Sequence, residues 1–208
     1  MSIHSFIPAD LDNRNLYGFF TSAIIPRPIA FVSTINAQGG VNLSPFSYFN
    51  VVSTRPPILI FAPVRQVRDG KQKDTYENIK EVPECVIHVV NFELAEKMNI
   101  TSASYPSDIN EFNEAGLTEL PSDLVKPPRV RESPLAFECR VNQVIELGQG
   151  GGAGSLIICE ILKIHVDKRV LNEHNKIDAL KLGAIGRLGG KQYIRITEDN
   201  LFEMDRPE

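Results

Sequence analysis

The chain is 208 residues long, 42% hydrophobic and 23% charged, enough apolar material for one sizeable core. Its 22 basic and 26 acidic residues leave a formal charge of −4, which argues against broad capture of nucleic acid or of an anionic membrane. Met1 to Phe6 has neither the basic nor the apolar region of a signal peptide, and no apolar run is long enough to cross a bilayer.

In chain order, the first predicted element is a strand over residues 29–35, rich in β-branched and aromatic side chains and led in by Pro26-Arg27-Pro28. Gln38-Gly39-Gly40 reads as a turn that folds residues 41–49 back on this strand as a hairpin. A strand follows at 58–63. Asp74-Thr75-Tyr76-Glu77 has the form of a capping box, with Asp74 as the cap of a helix that ends before Pro83. After a strand at 85–90, Asn91 is placed to cap a second helix carrying Leu94, Ala95 and Met98 on one face. Ser107 is placed to cap a third, over 108–115, stopped by Gly116. Residues 121–134, with Pro127-Pro128, read as an extended loop. Strands at 136–147, 156–166 and 193–197 complete the series. Strands outnumber helices and come in runs, so the predicted class is mainly β: a barrel or sandwich with inserted helices, in one domain over residues 1–208.

Few motifs carry chemistry. Gly148, Gly150 and Ala153 fit the dinucleotide pattern G-x-G-x-x-A, but a strand follows where that mechanism needs a helix, so the loop reads as a flexible hairpin. Arg27, held between two prolines, fits either an anion or ring contact or a stiffened edge strand. Ser33 and Thr34 end the strand, where hydroxyls and amides become free for a ligand. Asn42, Ser44 and Ser47 alternate with Leu43 and are interrupted by Pro45, which is expected to deny the backbone regular pairing. Such polar groups beside an apolar wall suit a heteroaromatic ring, though an ordinary serine-rich turn has the same composition. Lys73 and Thr75 lie at the positive end of the first predicted helix, suited to a phosphate that Asp74 would repel. His88, within an apolar strand, reads as a satisfied core histidine, and His165, at the end of the long strand, as a candidate to face a ligand. Cys85, Cys139 and Cys159, odd in number and far apart, read as buried reduced thiols, with no disulfide framework, no metal site and a cytoplasmic location.

Taken together, Pro26-Arg27-Pro28-Ile29-Ala30-Phe31-Val32-Ser33-Thr34, Asn42-Leu43-Ser44-Pro45-Phe46-Ser47-Tyr48-Phe49 and Lys73-Asp74-Thr75 resemble the flavin reductase-like family of FMN-binding split barrels, which includes flavoredoxins. Pro128-Arg129-Val130-Arg131-Glu132-Ser133-Pro134, Glu138-Cys139 and Arg187-Leu188-Gly189-Gly190 followed by Tyr193 match in the same order. The resemblance covers about residues 15 to 195. It implies a six-stranded antiparallel split barrel of Greek-key type and a homodimer holding FMN near the subunit interface. It also implies that Ser33, Thr34, Asn42, Leu43, Ser44 and Ser47 line the isoalloxazine and ribityl chain, and that Lys73 and Thr75, with Arg27 or Ser47, hold the phosphate. Arg187 and Gly189 would approach the ring. The implied activity is an oxidoreductase passing hydride or electrons through bound flavin, with NADH or NADPH as candidate donor and free flavin, a metal ion or a protein as acceptor. No catalytic side chain is required. The Gly-Asp-His motif of a related reductase branch is missing, which favours the flavoredoxin-like branch and leaves a carrier without nicotinamide oxidation as the alternative.

Overall fold

The structure is a computed structural model that describes residues 2–207. Helix α1 (Asn13–Ala23) precedes four strands: β1 (Ala30–Ile35), β2 (Val41–Phe46), β3 (Phe49–Thr54) and β4 (Pro57–Phe61). Then come α2 (Asp74–Glu81), β5 (Glu84–Val89), α3 (Ala95–Ile100) and α4 (Glu111–Glu114). Two short strands, β6 (Glu119–Leu120) and β7 (Arg129–Val130), lead to the long pair β8 (Leu135–Glu146) and β9 (Ser155–Val166). Helix α5 (Ala179–Leu182) and the hairpin β10 (Ile185–Arg187) and β11 (Tyr193–Arg195) follow.

Seven strands form one antiparallel sheet in the order β2-β1-β5-β8-β9-β4-β3. Its two edges, β2 and β3, are separated in sequence only by Ser47 and Tyr48. In a flat sheet those edges would stand about 29 Å apart at the usual strand spacing. Two linking residues span roughly a third of that. The sheet therefore curls until its edges meet, and the result is a mainly β barrel split along the β2/β3 seam. The seventh strand, beyond the six expected, is β3, which pairs only with β4 and carries exposed Val51 and Val52.

Alternation along β1 divides the core. Ala30 and Val32 point into the barrel with Phe61, Ile79 and the three cysteines. Phe31 points outward with Leu43, Leu94, Met98 and Phe112, under α3 and α4. Cys85, Cys139 and Cys159 are buried and free, as expected. The Gly148–Gly154 segment links β8 to β9 as a hairpin loop. It is pinned against the loop after β4: Arg65 donates to the Ala153 carbonyl, and a β-carbon at Gly151 would stand 2.5 Å from the Val67 carbonyl oxygen.

Several local expectations need correction. Pro45 pairs opposite Phe31 in regular β2, because β2 is an edge strand and a missing outward N–H costs no ladder bond. Ser107 caps nothing; Asn110 caps the four-residue α4, accepting from the Phe112 amide. Helix α1 has no signature in the apolar pattern because Tyr17, Phe19 and Phe20 lie exposed and only Thr21 is buried. Asn91 does cap the turn before α3, accepting from the Leu94 amide at 3.1 Å.

His88 is the satisfied core histidine its position predicts. It is fully buried, its Nδ1 bonds the Phe31 carbonyl at 2.8 Å, and its Nε2 accepts from the Val130 amide at 2.9 Å. Burial holds its pKa down from 6.5 to about 4. The unfolded chain thus binds a proton there that the folded chain refuses. The stabilisation is complete above pH 6.5 and is lost as pH falls toward 4, about 3 kcal/mol in all. In urea unfolding, His88→Gln should flatten the loss of stability over this range relative to wild type. An unaltered slope would remove His88 from the acid response.

Candidate functional site

At the seam the barrel wall opens into a cleft of three joined cavities. The middle one, about 230 Å³, is lined by Tyr17, Ser44, Ser47, Tyr48, Val64 and Lys73. Ser44 and Lys73 also line a tighter cavity of about 50 Å³, with Asn42, Gln72, Thr75 and Glu111. Ser47 and Tyr48 also line a wider one of about 430 Å³, with Phe20, Ile24, Arg27 and Phe49. The cleft thus runs from a narrow polar end to a broad aromatic end, with the Ser47-Tyr48 link at its middle.

The narrow end is built on the start of α2. Lys73, in extended conformation, is the cap residue and makes no side-chain capping bond, so the predicted capping box at Asp74 is not formed. Asp74 is instead the first helical residue, and its carboxylate accepts from Ser107 Oγ at 2.8 Å. At this end the Lys73 ammonium and the amides of Asp74 and Thr75 have no protein acceptor among the described residues. They stand at the positive end of the helix. Beside them Gln72 is only 6% exposed, its Nε2 donating to Ser155 Oγ, while its buried Oε1 has no partner among the described residues. The opposing charge comes from Asp74 and from Glu111, whose carboxyl burial holds above the ordinary range.

Of the sequence-predicted residues, Arg27, Asn42, Ser44, Ser47, Lys73 and Thr75 line this cleft. Ser33, Thr34 and Leu43 do not. Ser33 shares the outward face of Phe31 and donates to the Pro128 carbonyl; Thr34 faces the barrel interior and accepts from Asn78; Leu43 is core. All three are fully buried, so β1 ends inside the protein and not at an open strand end.

Arg27 is a clamp. Its Nε reaches Ser47, one terminal nitrogen takes the Thr21 and Ile24 carbonyls at the end of α1, and the other takes Leu188. Four of its five N–H groups are thereby committed to protein oxygens, leaving little for a phosphate. Arg187 lies in a separate cavity with Lys191 and Tyr193, its guanidinium 4.8 Å from the Tyr193 ring centre. Gly189 does permit a close approach, but to α1: a β-carbon there would meet Ser22 Oγ at 2.5 Å. His165 lies outside this cleft, its Nε2 bonded to buried Glu138 at 2.7 Å. Gln72 and Glu111 are site residues the sequence reading missed. Gln72 adjoins the Lys73 motif, but Glu111 lies far away in sequence and no spacing signals it.

Comparison with known proteins gives these residues a context. Residues 22–181 match the family described as "Flavin reductase like domain". A protein of Aquifex aeolicus, described only as uncharacterized, is 38% identical over 190 residues, covering 91% of this chain and 94% of the relative. Among solved structures, nitrilotriacetate monooxygenase component B from Bacillus cereus superposes with a TM-score of 0.91 at 32% identity, covering 98% of this chain and 100% of that one. The 2-nitrobenzoate 2-nitroreductase of Pseudomonas fluorescens gives 0.86 at 27% identity, covering 98% and 96%. The family match takes in β1 to β9, α2 and every cleft residue except those of α1. With a barrel split beside that cleft, the chain belongs to the flavin reductase-like family.

Proposed function

We propose that the chain is an FMN-dependent oxidoreductase, acting as one domain over residues 1–208 and as a cytoplasmic homodimer. The observation that carries this reading is the narrow end of the cleft, where Lys73 and two free helix amides converge with no protein acceptor. A phosphate is the group such donors suit. Gln72 Oε1, buried without a donor, suits a ribityl hydroxyl. Ser44 and Ser47, set among Tyr17, Phe46 and Tyr48, suit the polar edge and flat faces of the ring. When bound, the flavin supplies the redox chemistry. The residues of this chain bind it, orient it and limit water around it.

Phe19 and Phe20 on α1, Ile24 and Ile25 just after it, and Val51 and Val52 on β3 are exposed, and Phe20 and Ile24 line the broad end of the cleft. Apolar surface of this kind supports the dimer reading, in which a second copy covers it. Free buried thiols fit a reducing compartment, and among the described residues no helix is long and apolar enough to cross a membrane. Nitrilotriacetate monooxygenase component B is by its name part of a larger oxygenase system. By that likeness a partner oxygenase or free flavin is the acceptor here, and NADH or NADPH is the donor that the family resemblance implies. The missing Gly-Asp-His motif favours one competing reading, an FMN carrier without nicotinamide oxidation.

Titration of the purified protein with FMN should perturb the flavin spectrum and saturate near one flavin per chain. Failure to bind refutes the assignment. NADH or NADPH oxidation with FMN present should then show turnover; bound flavin without turnover with either nucleotide would select the carrier. Lys73→Ala should weaken FMN binding by about 1.5–3 kcal/mol, the worth of a charge-assisted hydrogen bond. Riboflavin, which has no phosphate, should not register the change. Equal FMN affinity in both proteins would take Lys73 out of the phosphate site.

A further inference from the structure

Glu111 is a buried carboxyl group, 7% exposed, in a cavity read here as a phosphate site. It stands at the start of α4, and its Oε2 accepts from the Leu43 amide at 2.9 Å. Its other oxygen faces the Asn42 carboxamide, whose far end meets Thr75 Oγ1 at 2.8 Å. Glu111, Asn42 and Thr75 therefore form a chain that ends beside the free amides and Lys73.

A carboxamide has one donating end and one accepting end, so the state of Glu111 sets the direction of the whole chain. Ionised, Glu111 only accepts. Asn42 then turns its NH2 to Glu111 Oε1 at 3.2 Å, and its oxygen accepts a hydrogen bond from the Thr75 hydroxyl at 2.8 Å. Thr75, buried in the cavity wall, then turns only lone pairs toward the cavity, and these repel an anion. Neutral, Glu111 donates to the Asn42 oxygen, and Asn42 donates to Thr75 Oγ1. The Thr75 proton is then free for a ligand. Both arrangements use the same heavy-atom positions, with the Asn42 amide turned end for end.

We propose that Glu111 is a positioning residue for the phosphate: when a phosphate dianion binds at Lys73, one proton from solvent adds to Glu111, and the Glu111–Asn42–Thr75 chain reverses so that Thr75 donates to the anion. The proposal rests on the reading of this cavity as the FMN phosphate site. No covalent bond other than the new O–H on Glu111 changes. Burial already raises the proton affinity of Glu111, the Leu43 amide opposes it, and the Asp74 carboxylate adds to it. Lys71, Lys73, Asp74 and Tyr105 are the other titratable groups lining the cavity, with Asp74 tied to Ser107. A bound dianion adds negative charge beside Glu111 and favours its neutral form further.

Calorimetric titration with FMN between pH 7 and 8.5, in two buffers of different ionisation enthalpy, tests this. Wild type should take up as much as one proton per FMN, and its Kd should weaken by up to about tenfold per pH unit. Glu111→Gln, which keeps a donor toward Asn42 and an acceptor for Leu43, should take up none. It should bind with a pH-independent Kd and exceed wild type at pH 8.5. Thr75→Val should bind weakly and without pH dependence, and riboflavin should show no proton uptake with any of the proteins. A pH-independent wild-type Kd, or a slope that survives Glu111→Gln, overturns the relay while leaving the FMN site standing. Absence of FMN binding by wild type overturns both.

Discussion

Ser47 and Tyr48 must carry the chain from one edge of a seven-stranded sheet to the other, and the rest of the architecture follows from how short they are. The link is incompatible with a flat sheet, so the sheet curls, its interior fills with Val32, Phe61 and Ile157, and α2 packs Ile79 among them. The same two residues line the middle of the cleft. Barrel closure and the candidate site thus share one constraint: the gap needed to turn the chain is the gap proposed for a ligand.

Within that gap, the groups that matter are those the fold leaves unspent. Arg27 is the most conspicuous cation of the sequence, yet its guanidinium is used up on Thr21, Ile24, Leu188 and Ser47. It joins the end of α1 to the segment after β10, and its backbone pairs with Arg187 besides. Lys73 looks ordinary by comparison but has no partner among the described residues. A charge already satisfied by protein oxygens offers a ligand little; one held at a helix start without an acceptor offers a great deal.

Much of the sheet is legible in the sequence because β-branched runs bounded by turns mark β1, β5, β8 and β9 almost to the residue. What fails has physical causes. Helix α1 hides because its aromatic residues face outward, so no core-facing stripe forms. Ser33 and Thr34 are read as an open strand end, but β1 is central, and the loop at Pro128 and helix α2 cover its end. The cleft is half legible: Ser44, Ser47 and Lys73 stand in local motifs, whereas Glu111 reaches Leu43 across 68 residues.

The outer rim of β2 has a further consequence. In this strand every second N–H points away from β1, toward open space. At Pro45 there is no such hydrogen, and at Leu43 it is already taken by Glu111. An exposed strand edge is ordinarily a template on which another chain can grow. Here two adjacent outward positions are unable to donate, so the slit proposed for a small molecule resists the β-addition that seeds aggregation. The barrel can stay open for a ligand without being open to its own kind.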